Sequence, residues 1–142
     1  MANATMVKFG YPDTLVREFD HWAVLLRPAQ VTLGSLVLAA KSDATAYSDL
    51  PAEAFAEQSL AVVAIERGLR RLCDYERINY LMLMMVDPHV HFHVIPRYSE
   101  PRVWSGVDFA DTGWPGPPQL NLSVKLSPEQ LLSLISEIKA VL

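Results

Sequence analysis

The chain has 142 residues, 51% hydrophobic and 20% charged, the profile of one ordinary globular domain with enough apolar material for its own core. Its formal net charge is −4, so it lacks the basic excess with which a surface holds a nucleic acid polymer. A single cysteine excludes an internal disulfide framework and a cysteine-rich zinc site; it suits a reducing compartment, and a cytoplasmic location is expected.

The opening "MANATMVKFG" carries no apolar run of signal-peptide type. The longest uninterrupted apolar stretch, Tyr80 to Val86, falls far short of the roughly 20 residues that cross a bilayer, so no membrane association is expected. "LVREFDHWAVLLRPA" holds two short runs around Asp20, and "HWAVLLR" predicts a strand ending before Pro28. "QVTLG" bends at Gly34 and "SLVLAAK" predicts a second strand, together an antiparallel hairpin. The period changes in "SDLPAEAFAEQSLAVVAIERGLRRLCDYE". Phe55, Leu60, Val63, Leu69 and Leu72 approximate a helical stripe, with Glu57, Glu66, Arg67, Arg70 and Arg71 mostly opposite. This is a long helix with Pro51 near its start, where proline is tolerated, and Cys73 inside it reads as a packing residue.

"RINYLMLMMV" predicts a strand, apolar on both faces at its end and therefore central in its sheet. Asp87-Pro88 breaks the rhythm, and "HVHFHVI" predicts a further strand that Pro96 stops. Residues 97–121 form a long connection rich in proline, glycine and aromatics, of the kind that serves as a lid or an interface arm. "SPEQLLSLISEIKAVL" predicts a closing helix, with Ser127 as its cap, Pro128 at the first helical position and Gln130 completing a capping box. Strands and helices without βαβ alternation give the α+β class with an antiparallel sheet in a single domain over 1–142. The arm occupies 99–121 and the last helix 127–142.

"DPHVHFHVIPRY" holds three of the four histidines. Alternation on a strand puts His89, His91 and His93 on one face and Val90, Phe92 and Val94 on the other, toward a core. Neighbouring histidines then stand roughly 6.6 Å apart and the outer pair about 13 Å. Zinc draws imidazole nitrogens to about 2.0–2.1 Å, so one adjacent pair, joined by His21, Asp20 or Asp87, is able to share an ion, but all three on a regular strand are not. Three hydrogen-bonded structural histidines are the plainest alternative. Chemistry accounts for the set better: an imidazole of ordinary pKa about 6.5 is a good nucleophile near neutral pH. Flanking rings on the same face orient it and donate hydrogen bonds to an anion, as phosphoryl transfer requires. His91, flanked on both sides, is the natural nucleophile.

"HVHFHVI" resembles the signature of the histidine-triad (HIT) family, His-φ-His-φ-His-φ-φ with φ apolar, at every position, and "PR" after it is common there. The resemblance extends over residues 18–98, taking in "HWAVLLRPAQVTLGSLVLAAK", the "DL" before the long helix and the strand before the triad. It implies a five-stranded antiparallel sheet with one long helix and a C-terminal helix, a homodimer, and nucleotidyl hydrolase or transferase activity on a small nucleotide. It further implies a nucleotidyl intermediate on His91, with no metal or cofactor needed for that step. His89 and His93 inherit the roles of orienting the nucleophile and contacting phosphate or leaving group. A Gln at position 93 would mark the transferase branch, so His93 favours hydrolysis. Many members place a Gly-Gln-Ser/Thr segment before the triad to hold phosphates; here Met84, Met85, Val86, Asp87 and Pro88 stand there. The ribose-binding Asn of many members falls on Arg27, and the His that often follows the glycine is Ser35.

Arg97, Asn79, Arg27 and Ser35 are therefore the candidate substrate contacts, with Arg102 a weaker one, because arginine recognises phosphate bidentately. Tyr98, Trp104 and Trp114 are expected to pack rather than stack on a base, and His21 to be structural. Two other functions stay open at this point: a metal-binding protein using a histidine pair, and a nucleotide-binding protein of this fold without catalysis.

Overall fold

Five strands of the computed structural model, which describes residues 2–142, form one antiparallel sheet. They are β1 (Leu15–Glu18), β2 (Trp22–Leu26), β3 (Leu36–Ala40), β4 (Arg77–Leu81) and β5 (His91–Arg97), in the spatial order β1-β2-β3-β5-β4. The expected hairpin is β2–β3, in register from Trp22↔Ala40 to Leu26↔Leu36. Gly34 takes φ +90° in its turn, a conformation that favours glycine, and its N–H donates to Gln30 Oε1 at 2.8 Å. All residues of β2 and β3 are buried, because both faces of the sheet are covered.

On one face, Trp22, Val24, Leu26, Leu36, Leu38 and Val94 pack with Ile65 and Leu69 of α2 (Ala52–Cys73) and with Leu134 and Ile138 of α3 (Pro128–Val141). On the other, Ala23, Leu25, Val37 and Ala39 pack with Met6 of α1 (Ala4–Lys8) and with Phe9, Tyr11 and Leu15. The capping box of α3 is as expected: Ser127 Oγ accepts from Gln130 N at 3.1 Å, and Gln130 Oε1 accepts from Ser127 N at 3.0 Å. No helix among the described residues is long and apolar enough to cross a membrane.

The structure corrects four sequence expectations. The buried stripe of α2 is Ala54, Ala61, Ile65, Gly68, Leu69 and Cys73, while Phe55, Leu60 and Val63 are exposed. Small residues bring α2 close to its neighbours, with Gly68 lying against Val141 and Leu142 of the C-terminal segment. β4 ends at Leu81 and is an edge strand, so Met82 to Val86 form a loop rather than a central strand. β5 starts at His91, which leaves His89 and Val90 outside it, and continues through Pro96 to Arg97. Pro96 is tolerated because its carbonyl, and hence its missing N–H, faces β3, where pairing has already ended at Leu36↔Val94; Thr32 Oγ1 donates to that carbonyl at 2.6 Å.

The 97–121 connection is not structureless. β6 (Arg102–Trp104) and β7 (Val107–Phe109) form a hairpin whose turn residues Ser105 and Gly106 both have positive φ, 51° and 73°, as a type I′ turn demands. Phe109 is fully buried and anchors the hairpin to the helix-side core.

Candidate active site

β5 carries His91 and His93 on the face away from α2, opposite Ala39 and Val37 of β3. Their rings stand 5.2 Å apart, edge to face. Val90 and Val94 are buried on the helix side, and Phe92 packs there against Trp22 and Tyr47 with ring centroids 6.2 and 5.6 Å away. Alternation along the strand therefore separates the two imidazoles from the helix-side core.

His91 is 2% exposed, and its Nδ1 lies 2.7 Å from the backbone oxygen of His89. A carbonyl oxygen only accepts, so Nδ1 carries the proton in this contact and Nε2 carries the lone pair. That fixes both tautomer and ring orientation. His89 thus acts on His91 through its main chain. The ring of His89 turns to α1, its Nδ1 2.9 Å from Thr5 Oγ1.

His93 is 7% exposed, and its Nδ1 is buried without a partner. Burial, reinforced by the nearby charge of Arg27 and by His91, pushes its pKa down from 6.5 to about 4, so the ring is neutral at neutral pH. Arg27 continues the histidine-side face of β2. Its Nη1 donates to Ala29 O at 2.6 Å, its Nε is buried with no partner, and burial lowers its pKa. Arg27 forms no salt bridge among the described residues, so its positive charge acts on this face without compensation.

Beside the two imidazoles opens a cleft of about 200 Å³ lined by Leu83, Met84, Met85, Val86, Asp87, His91 and His93. Asp87 is held by Lys8 Nζ of α1 at 2.8 Å. Among the described residues, no three His, Cys, Asp or Glu side chains converge as the ligands of a metal would.

The structure separates other expected contacts from the histidines. Arg97 lies at the far end of β5, six residues and roughly 20 Å from His91. Its guanidinium is spent on Asp111 at 2.6 and 3.1 Å, Asn79 Oδ1 at 2.8 Å and Gly116 O at 2.8 Å, so Arg97 and Asn79 fasten the 97–121 connection instead of meeting a substrate at the triad. Ser35 is fully buried, and its hydroxyl donates to Thr32 O at 2.8 Å while accepting from Thr32 N at 3.0 Å; it closes the β2–β3 turn. Arg102 binds the last carbonyls of α2, Cys73 O at 2.6 Å and Asp74 O at 2.9 Å, where the helix end favours a cation. Tyr98 is buried, with its hydroxyl accepting from Leu33 N, and Trp104 donates to Glu137, so both pack. Trp114 lines a separate cleft with Arg77, Asn79 and Arg97. His21 stands between β1 and β2, where its main-chain N–H donates to Glu57 at 2.6 Å. Burial pushes the Cys73 thiol up to about 12, and that thiol donates to Leu69 O, which suits packing and not nucleophilic attack.

The N-terminal segment is the part that sequence reasoning missed. Asn3 caps α1 and donates from Nδ2 to Ala40 O and Ser42 O at 3.0 and 2.9 Å, pinning the helix across the sheet. From there Thr5 reaches His89, Lys8 reaches Asp87, and Phe9 stands 5.8 Å from His91 and 5.6 Å from His93. The only local signal was Asn3 before "ATMVK", because five helical residues are too few to display a period.

No family model matches the sequence, and no curated protein matches it by sequence comparison. Solved structures do match. A histidine triad protein from Sinorhizobium meliloti 1021 superposes with a TM-score of 0.77 at 18% identity, over 100% of this chain and 96% of that one. A histidine triad protein from Bradyrhizobium japonicum gives 0.76 at 17% identity, over 99% and 96%. Diadenosine triphosphate hydrolase from Plasmodium falciparum gives 0.65 at 16% identity, over 91% and 76%. The sheet order, the flanking helices and the strand bearing His91 and His93 are thus those of a known architecture, and the chain has the histidine-triad fold.

Proposed function

We propose that this chain is a histidine-triad nucleotidyl hydrolase or transferase, cleaving a nucleoside phosphoanhydride or phosphoramidate through a covalent nucleotidyl intermediate on His91. The observation that carries the reading is the 2.7 Å contact from His91 Nδ1 to the His89 carbonyl, which places the lone pair of the neutral ring on Nε2, with the ring lining an open cleft. A nucleophile needs such a lone pair, and a second group must hold its ring in place. The motif, the fold and the hydrolase named among the structural matches support the same chemistry.

In the first step Nε2 attacks phosphorus: an N–P bond forms, the bond from phosphorus to the leaving group breaks, and the leaving group takes the electron pair. In the second, a water oxygen (for a transferase, another acceptor) attacks phosphorus, the N–P electron pair returns to Nε2, and the proton passes to solvent. The His89 carbonyl stabilises the positive charge that His91 acquires as it becomes N-phosphorylated, since Nδ1–H donates to it throughout. His93, neutral, offers a hydrogen bond to phosphate without adding a charge of its own. Arg27 supplies the uncompensated positive charge on the same face. None of these roles draws on a metal or a cofactor.

His91→Ala is expected to lower kcat/KM on nucleotide conjugates by about 10³-fold or more while leaving the melting temperature within a few degrees. Full activity in that variant ends the proposal. A homodimer belongs to the same reading; sedimentation equilibrium is expected to return twice the 15.9 kDa chain mass, and a monomer at micromolar concentration contradicts it.

A further inference from the structure

The carbonyl that holds His91 belongs to His89, which precedes β5 and lies outside its hydrogen-bond ladder. Val90 is fixed by its own backbone, Ala40 N donating to Val90 O at 3.0 Å and Val90 N to Ala44 O at 3.2 Å. The N–H of the His89–Val90 peptide is therefore secured, but its carbonyl pivots about that bond unless His89 is held as well. Upstream, His89 continues into a loop whose Met85 and Val86 are exposed. Among the described residues, the one hydrogen bond to the His89 ring comes from Thr5, whose Oγ1 lies 2.9 Å from Nδ1. Thr5 is 2% exposed, and a buried hydroxyl needs a partner; His89 is the one it has. Five residues are too few to hold a helix alone, so α1 keeps its place through tertiary contacts. Asn3 Nδ2 donates to Ala40 O and Ser42 O at 3.0 and 2.9 Å, and Met6 packs with Ala23, Val37 and Ala39. The companion contact, Lys8 to Asp87 at 2.8 Å, involves a lysine 51% exposed and adds little by itself.

Building on the nucleotidyl-His91 reading, we propose that Thr5 is a positioning residue for the reaction. Through the His89 ring it fixes the His89 carbonyl, and through that carbonyl it fixes the tautomer of His91. The two hydrogen bonds of this relay measure 2.9 and 2.7 Å. A hydroxyl both donates and accepts, so the grip holds for either tautomer of the His89 ring. A neutral imidazole carries its proton on either nitrogen, and the partner at Nδ1 decides which. Without Thr5 the peptide swings about the Val90–Ala44 bond, and His91 Nδ1 loses its acceptor for part of the time. The proton then moves to Nε2, and a ring protonated there has no lone pair for phosphorus. Thr5 thus acts through His89 and not on the reacting atoms.

The test pairs nitrogen-15 NMR with kinetics on the full-length protein. Thr5→Val removes the hydroxyl and keeps the branched shape, Thr5→Ser keeps the hydroxyl, and His89→Phe breaks the same hydrogen bond from its other end. Val7→Ala, at an exposed position of α1, controls for general disturbance of the helix. Two-bond proton–nitrogen spectra at about pH 8, above the ordinary imidazole pKa, show which ring nitrogen of His91 carries the proton; its signals are identified by their absence in His91→Ala. Wild type, Thr5→Ser and Val7→Ala are expected to carry it on Nδ1, whereas Thr5→Val and His89→Phe are expected to show a mixture of tautomers. In those two variants kcat/KM on adenosine phosphoramidate or diadenosine triphosphate is expected to fall about 10-fold, and in Thr5→Ser and Val7→Ala to stay within about two-fold of wild type. A single Nδ1–H tautomer in folded Thr5→Val or His89→Phe, a mixture with an unchanged rate, or an equal loss in Thr5→Ser overturns the inference. All these outcomes leave the nucleotidyl-His91 reading standing, whereas a wild type that turns over no nucleotide conjugate removes both.

Discussion

At the scale of the residue, His93 is where the site acts on stability. Its pKa in the folded chain lies near 4, against 6.5 ordinarily, because burial and the charge of Arg27 both oppose protonation. Between those two values the unfolded chain binds a proton that the folded chain refuses, so stability falls as pH drops from about 6.5 toward 4. For a shift of this size the loss reaches about 3 kcal/mol. His93→Gln removes the titrating group, and chemical denaturation from pH 7 to pH 4 is expected to show a shallower decline than the wild type. Parallel declines would mean that His93 is not the group responsible. The same residue shows where residue-scale reading of sequence succeeds. Alternation in "HVHFHVI" put His91 and His93 on one face, and the pleat of β5 realises it. Alternation did not foresee that His89 leaves the strand, because its direction is set by Thr5, 84 positions away in sequence.

At the scale of the element, the 97–121 connection is held by a buried ion pair instead of joining the site. Arg97 and Asp111 are 5 and 2% exposed and 2.6 Å apart, so removing one partner leaves the other charged and buried. Asp111→Ala is expected to cost about 3–5 kcal/mol of unfolding free energy, read by denaturant titration, with kcat/KM unchanged at temperatures below unfolding. A loss of activity in the folded variant would restore Arg97 as a substrate contact. Elements whose signal is local were legible: the β2–β3 hairpin from Gly34, the capping box of α3, the length of α2. Those that tertiary packing decides were not. The buried stripe of α2 uses Ala54, Ala61 and Gly68, which carry little hydrophobic signal but allow close approach, while Leu60 and Val63 stay outside. Residues 82–86 read as strand because they are apolar, yet they lie beyond the end of an edge strand with nothing to pair.

At the scale of the whole molecule, the sheet divides the protein into two jobs. On one side, α2 and α3 bury the larger core and hold the strands in register. On the other, a thinner layer under α1 presents His91 and His93 to a cleft, with Phe9 packed against both rings. The strand bearing His91 and His93 could be read from sequence because its pattern repeats every second residue. The N-terminal contacts could not, because Asn3, Thr5, Lys8 and Phe9 meet Ala40, His89, Asp87 and the rings of His91 and His93, all distant in sequence. The central claim is a covalent bond between His91 and a nucleotide, and intact-mass spectrometry of the protein quenched in acid-free denaturant during turnover addresses it most directly. The account predicts a species heavier than the chain by one nucleoside monophosphate group, mapped by peptide fragmentation to His91 and missing in His91→Ala. Turnover at full rate with no such adduct under any quench, or an adduct on another residue that persists in His91→Ala, would contradict it.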